Sequence, residues 1–343
     1  MKAVVPTAGR GTRLYPHTHT KPKPMVRLAG RPILGHILEN LRPTRVEEVV
    51  LVVGGPMREQ VVEYAERHFA DRFEFTFAHQ ERAEGLGHSI YQTESYVDGE
   101  PVLVALGDML FQSGYAAFLD AHDRLGGVDA SVGVKRVDAP EHYGVVELDG
   151  DRVIGLVEKP DDPPSNLAIS GVYVVDDTPA LFDALSHLVD NDLRGAGGEF
   201  QLTDALALMV ERGSTLGTFP VEDWYDCGRP GTLLEANKVT LDRRAAARSD
   251  GSGGKHFREG DGAVVIEPVD IGENVEIHQS VVGPYVSVDD GTTITTSRVR
   301  DSIVGRNSTL RGVNLETSIV GDATEIVGKT NSLNVGDNSS LEL

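Results

Sequence analysis

The sequence holds one cysteine, Cys227, in 343 residues. A single thiol excludes an intrachain disulfide framework. Lysine is scarce as well. It occurs only at positions 2, 21, 23, 135, 159, 238, 255 and 329, so 8 of the 32 basic residues are lysine and the rest arginine. Positive charge is short overall, with 53 acidic residues and a net charge of -21. Such an excess argues against general binding to nucleic acid or anionic membrane. It resembles the surface of proteins kept soluble in a salt-rich cytoplasm, where salt screens repulsion; an ordinary acidic protein is the alternative. No apolar run approaches the roughly 20 residues that span a bilayer. The N-terminal MKAVVPTAG has neither a long apolar core nor a small-residue cleavage site after one, so it reads as a first strand and a cytoplasmic protein is expected.

What the chain does contain falls into two textures. Up to about residue 240, short apolar runs alternate with helix-like stretches. Val49-Val50-Leu51-Val52-Val53 ends in Gly54-Gly55, and Val102-Leu103-Val104-Ala105-Leu106 ends in Gly107-Asp108, as buried parallel strands do. Ile33, Leu34, Ile37, Leu38 and Leu41 recur at helical spacing after Pro32, and 57–69 reads as a second helix. This alternation predicts an α/β sheet with helices on both faces, and ligands at the carboxyl ends of its strands. Residues 241–262 are charged and rich in glycine and serine, and are expected to be a linker. From 263 to 343 an aliphatic-Gly pair recurs, at Ile271-Gly272, Val282-Gly283, Val304-Gly305, Val320-Gly321 and Val335-Gly336. Aliphatic residues also recur six apart, as at Ile271 and Ile277. The pattern predicts a hexapeptide-type β-helix, with an antiparallel sandwich as the alternative.

One basic cluster survives in this acidic chain. AGRGTRLYP (8–16) follows the first strand, and Arg10, Arg13, Lys21 and Lys23 gather there. Glycines at 9 and 11 let backbone N–H groups approach phosphate oxygens, and Arg and Lys suit a triphosphate. The dinucleotide fingerprint fails at Leu14, and no Walker A pattern is present. On these residues alone a solvated basic turn stays open.

The stretch GRGTRLYPHTHTKPKPMVRLAGRPIL resembles the signature of sugar-1-phosphate nucleotidyltransferases, G-x-G-T-R-L-x-P with a lysine ten residues after its arginine; Arg13 and Lys23 hold those positions. HQERAEGLGHS (79–89), LGDML (106–110), HYGVVELD (142–149), LVEKP (156–160), SNLAISGVY (165–173), GEFQLTD (198–204) and WYDCG (224–228) resemble further family segments in the same order. The most similar subgroup is the long form acting on glucose 1-phosphate with dTTP, which ends in a left-handed β-helix. The resemblance implies a Rossmann-like domain with a mixed central sheet, at 1–240, followed by that β-helix at 263–343.

It also implies nucleotidyl transfer from dTTP or UTP to a sugar 1-phosphate, most readily glucose 1-phosphate, with Mg²⁺ as cofactor and a homo-oligomeric state. Ala8, Gly9, Gly11, Thr12 and Arg13 would take the triphosphate and Lys23 the reacting phosphate. Asp108 and Asp226 would be metal ligands. Gln80 and Gly85 would read the base. Gly144, Glu158, Lys159, Asn166, Gly171 and Glu199 would hold the sugar phosphate. Met109, Gly197, Gln201 and Cys227 depart from the family pattern, which touches the sugar more than the reaction. Uridylyl transfer to glucose 1-phosphate, guanylyl transfer to mannose 1-phosphate, acetyl transfer by the β-helix and a non-catalytic scaffold role are the competing readings.

Overall fold

The computed structural model describes residues 1–9, 11–150, 152–222, 224–247, 258–259 and 262–328. Arg10 and the Val335-Gly336 pair lie outside them. The chain divides into two compact units: Met1–Arg27 with Arg31–Leu233, and Leu28–Gly30 with the described residues from 234 onward.

The first unit is built on a nine-stranded sheet. Lys2–Pro6 pairs in parallel with Glu48–Val53 on one side and Val102–Ala105 on the other, and Glu74–His79 extends the parallel block. Valine and leucine fill these strands because both faces are covered, and Val49 to Val53 are all at most 1% exposed. Leu167–Val175 then pairs antiparallel with Val102–Ala105 and carries Gly144–Asp149, Arg152–Glu158 and Ala130–Arg136 beyond it, with Leu216–Pro220 on the last of these. The sheet is therefore mixed. Helices pack in two groups: Ile33–Leu41 with Gly114–Leu125, and Leu86–Tyr91 with Thr178–Asp190 and Leu202–Glu211. The helix expected at 57–69 forms over Glu59–Phe69.

Strand order places the crevice. From Lys2–Pro6 the chain first builds outward through Glu48–Val53, then returns to the other side at Val102–Ala105. The reversal opens a gap at the carboxyl ends of these strands, where ligands bind in open α/β sheets. The loop at 7–14 and Gly107-Asp108 both leave the sheet there.

The linker expected at 241–262 starts too early. The helix Pro230–Ala247 runs through its first seven residues. Leu233, Ala236 and Leu241 are buried at helical spacing, and the charged DRRAAA stretch is made of good helix formers. Arg258–Glu259 is a strand paired with Glu276 and Ile277; 248–257 lie outside the described residues.

In the second unit three parallel ladders run side by side, as in a β-helix. Partners on successive coils, such as Ile277, Ile294, Leu310 and Ile326, are 17, 16 and 16 residues apart. The repeat is thus shorter than three hexapeptides. Inward aliphatics follow spacings of five and six, as from Ile271 to Ile277 to Val282, and form one buried column. Serine and threonine close the corners. Ser280, Ser297, Thr292, Ser308 and Ser302 each accept the N–H of a residue one coil on, namely Ser297, Val313, Ser308, Thr324 and Ser318. Within the same unit Asn237, 1% exposed, accepts from the Ala29 N–H at 2.8 Å and the Ser287 hydroxyl at 2.6 Å.

Each corner hydroxyl satisfies a backbone donor that has no other partner among the side chains around it, and an orphaned buried donor costs about 1–3 kcal/mol. Ser297→Ala, which leaves the Val313 N–H without its acceptor at 3.1 Å, is expected to lower the stability of this unit by about that amount in urea unfolding. Thr295→Ala, on the outer surface of a neighbouring strand, is expected to stay within about 0.5 kcal/mol.

Candidate active site

The loop after Lys2–Pro6 is shaped by two residues. Gly11 has φ +61, and a Cβ there would lie 2.9 Å from Lys23 Cβ and from Thr18 Cγ2. Leu14, fully buried, anchors the short helical turn Thr12–Leu14 where a dinucleotide loop would carry glycine. Between them Arg13 stays exposed. Lys23 is the opposite case, only 7% exposed between Pro22 and Pro24.

A buried ammonium needs partners. Lys23 finds two. Met109–Phe111 and Trp224–Asp226 form an antiparallel pair with Asp226 opposite Met109, so Asp108 and Asp226 arrive side by side from distant parts of the chain. Lys23 Nζ donates to Asp108 Oδ2 and lies 3.9 Å from Asp226 Oδ1. The Gly228 N–H donates to the same Asp226 oxygen at 2.8 Å. A Cβ at 228 would fall 2.9 Å from Lys23 Nζ and 3.2 Å from an Arg13 guanidinium nitrogen, so both cations and the carboxylate surround one point.

These groups floor a cleft of about 650 Å³. Ala8, Gly9, Gly11, Thr12, Arg13, Lys23, Gln80, Gly85, Asp108, Glu158, Lys159 and Glu199 line it, and Asp226, beside Lys23, is outside that lining. At one end Gln80, 6% exposed, donates its amide to the Gly85 carbonyl at 3.2 Å. Gly85 has φ +109, and a Cβ there would meet the Phe200 carbonyl at 2.4 Å. At the other end Glu158 accepts from Thr203 Oγ1 at 2.7 Å and pairs with Lys159 Nζ at 3.2 Å. Lys159 holds a left-handed backbone, φ +43, fixed by its N–H on the Tyr143 carbonyl. A lysine is rarely found in that conformation outside functional or tight-turn positions.

Three residues singled out from sequence are placed differently from the cleft wall. Asn166 is exposed and accepts from Arg136 at 2.6 Å, so its amide is committed away from the cleft. Gly144 and Gly171 sit behind the lining. A Cβ at 144 would strike Glu158 Oε2 at 2.7 Å, and Gly171, φ +82, lies in the bulge between Ile169 and Tyr173, where a Cβ would strike Leu106 at 2.7 Å. Arg194 is engaged with Glu84 at 3.1 Å and Asp192 at 2.7 Å, and its guanidinium lies over the Phe200 ring. Met109 is 8% exposed and packs toward Gly171. Sequence reasoning missed Thr203, Ser89, Leu106 and Gly228. Thr203 stood in a quoted segment, but its bond to Glu158 joins residues 45 apart and has no local signature.

Asp108 and Asp226 present hard oxygens converging on one cation, which suits a magnesium ion that takes few carboxylates and completes its shell with phosphate and water. Among the described residues no cluster of three or more His, Cys, Asp or Glu offers an all-protein metal cage. No helix among them is long and apolar enough to cross a membrane.

Comparison with known proteins identifies the family. The family model described as nucleotidyl transferase matches residues 2–243. The low-salt glycan biosynthesis nucleotidyltransferase Agl11 of Haloferax volcanii is 31% identical, with all of both chains covered. A glucose-1-phosphate thymidylyltransferase of Streptomyces antibioticus is 31% identical over 100% of this chain and 99% of that one. A crystal structure of UDP-glucose pyrophosphorylase complexed with UDP-glucose superposes with a TM-score of 0.59 at 26% identity, covering 71% of this chain and 99% of that one.

Cys227 sits between Asp226 and Gly228 yet is fully buried. Burial pushes its thiol far up, the Asp108 carboxylate adds to this and the Lys23 ammonium opposes it. A thiol held protonated is a packing group, not a nucleophile. Native protein at pH 8 is expected to leave an aromatic disulfide reagent unreacted, with one thiol titrating on unfolding; rapid reaction of the native protein would place Cys227 at the surface.

Proposed function

The chain belongs to the nucleotidyl transferase family, and on that premise we propose that it transfers a thymidylyl or uridylyl group to glucose 1-phosphate. A phosphate oxygen of the sugar phosphate attacks the α-phosphorus of dTTP or UTP. The bond from that phosphorus to the bridging oxygen breaks, pyrophosphate leaves, and an NDP-sugar forms. The nucleophile is already an anion, so no general base is required; positioning and charge neutralisation carry the reaction.

The observation that carries the reading is the gathering of Lys23, Arg13, Asp108 and Asp226 about one point on the cleft floor. Arg13 and the glycine loop take the triphosphate from the strand end. Lys23 holds the α-phosphate and the departing pyrophosphate between two anions that repel each other. Asp108 and Asp226 hold Mg²⁺, which when bound neutralises phosphate charge. Gln80 and Gly85 receive the base at one end. Lys159, on its strained backbone, takes the sugar phosphate, and Glu158, fixed by Thr203, takes sugar hydroxyls; Glu199 reaches the same end. Gly144 and Gly171 support this end by staying small. Asn166 has no part in it.

Both bases remain in the reading because thymine and uracil differ by one methyl, and one apolar carbon discriminates by only about 1–3 kcal/mol. A scaffold role is disfavoured because a chain without catalysis has no need to bury a lysine between two aspartates. Acetyl transfer by the β-helix is disfavoured too. His278 is half-buried beside Glu276 and does not line the cleft, and His256 lies outside the described residues. We assign to the β-helix a surface for assembling identical subunits, and to the acidic surface solubility in a salt-rich cytoplasm.

The direct test is pyrophosphate release in high salt with Mg²⁺, across dTTP, UTP, GTP, CTP and ATP and a panel of sugar 1-phosphates. Release with dTTP or UTP and glucose 1-phosphate is the expected outcome; silence from folded protein overturns it. Asp108→Asn and Asp226→Asn are each expected to keep the wild-type circular dichroism and lose roughly 10²-fold or more in kcat. Full turnover in either variant removes that aspartate from the site.

A further inference from the structure

The Gln80 side chain has an unusually complete set of partners. Its amide nitrogen lies 3.2 Å from the Gly85 carbonyl and 3.0 Å from His88 Nδ1. The carbonyl accepts only, so the amide must turn its NH₂ that way; turned over, two acceptors would face each other. With one hydrogen on Gly85, the second points at His88, and Nδ1 must be the unprotonated nitrogen of the ring. The proton then sits on Nε2, which faces Glu84 Oε2 at 3.5 Å; the end of the Gln92 side chain lies 3.2 Å from the same nitrogen and must turn its oxygen, not its NH₂, toward it. Both amide hydrogens are used. What Gln80 has left for the cleft is its carbonyl oxygen, an acceptor.

From this geometry we infer that His88 is a positioning residue for base selection, holding Gln80 as a fixed hydrogen-bond acceptor so that the cleft takes bases with an imide-type N–H and rejects cytosine. The inference rests on the nucleotidyl-transfer reading of the cleft. Thymine and uracil carry a donor at N3. Cytosine carries a lone pair there, and would face the Gln80 oxygen acceptor to acceptor. A site whose hydrogen-bonding group is held fixed discriminates far more strongly than one shaped by apolar contact.

His88 is itself held from every side. Glu84 approaches from the loop before its helix and Gln92 from the turn after it. The Phe200 ring lies 6.2 Å away and the Tyr91 ring 6.4 Å. Arg194, the other nearby charge, covers the far face of Phe200 and pairs with Glu84. The Phe200 N–H donates to the Glu84 carbonyl and the Gly87 N–H to the Phe200 carbonyl, both at 2.8 Å, so loop, helix and Phe200 segment form one unit. Burial holds the imidazole below its ordinary value; the Glu84 carboxylate opposes this and the Arg194 guanidinium adds to it. The Nδ1 lone pair is therefore present at neutral pH. Protonation would replace it with a donor, and Gln80 could no longer satisfy both neighbours.

The test compares kcat/KM for UTP with that for CTP, at constant glucose 1-phosphate, in wild type, His88→Ala and His88→Gln. Loss of the lock is expected to cut the UTP-to-CTP ratio about tenfold in His88→Ala, through KM and with kcat held, and His88→Gln, which keeps an acceptor, to restore it. Should His88→Ala not fold, the wild-type ratio against pH serves alone. The two triphosphate chains titrate alike, so their ionisation cancels, and the scan is kept above the pH at which cytosine N3 itself takes a proton. The ratio is expected to fall on acidification in wild type and to stay flat in His88→Gln. A ratio unchanged in folded His88→Ala, or flat with pH in wild type, overturns the inference and leaves the proposed function standing. Wild type that turns over neither UTP nor dTTP overturns both.

Discussion

The molecule is organised around one ammonium group held between two carboxylates. Lys23 is buried, and its charge survives there because Asp108 and Asp226 meet it. Removing Asp108 or Asp226 would leave the lysine short of a partner, although both carboxylates keep some contact with water, which softens the loss. Everything else on the cleft floor follows from placing those three. The parallel strands Lys2–Pro6 and Val102–Ala105 deliver the lysine loop and Asp108 to the same edge, and a two-stranded ribbon brings Asp226 from the far end of the unit. Gly228 has no side chain because a Cβ would occupy the point where the charges converge.

On the proposed function, the same cluster would let two anionic substrates share a cleft in a protein with a net charge of -21. Most of the acidic residues are elsewhere, and Arg13, Lys23 and Lys159 line the cleft. Asp108, Asp226, Glu158 and Glu199 are the acidic residues at the cleft, and the first two hold the positive charge of Lys23. Ionic strength will screen the surface far more than this half-closed site.

Much of this was legible in the sequence, for physical reasons. The valine runs at 49–53 and 102–106 announce buried parallel strands, because only a strand covered on both faces tolerates them. Gly11, Arg13 and Lys23 are legible because a loop that admits phosphate needs small backbone and nearby cations. The β-helix is legible from its repeated aliphatic pairs. Other features depend on contacts between distant segments. The coil length of 16 or 17 is set by corner hydroxyls that bond one coil away, which a search for sixes does not see. Asn166 accepts from Arg136, 30 residues away, a pairing that no local pattern signals. Glu158 needs Thr203 to hold it, and Gln80 needs His88; neither dependence has a local pattern. The helix through Ala247 was hidden by charges that read as linker, although alanine and arginine favour helix.

The claim on which the rest stands is that the Lys23, Asp108 and Asp226 cluster is where phosphates and metal meet. The most direct measurement is a crystal structure with Mn²⁺ and a non-hydrolysable UTP analogue, collected at a wavelength that shows manganese anomalously. The account predicts one anomalous peak between Asp108 and Asp226, with Lys23 turned from the carboxylates to the α-phosphate. Manganese bound elsewhere, with Lys23 still paired to Asp108 while the nucleotide is in place, would contradict it.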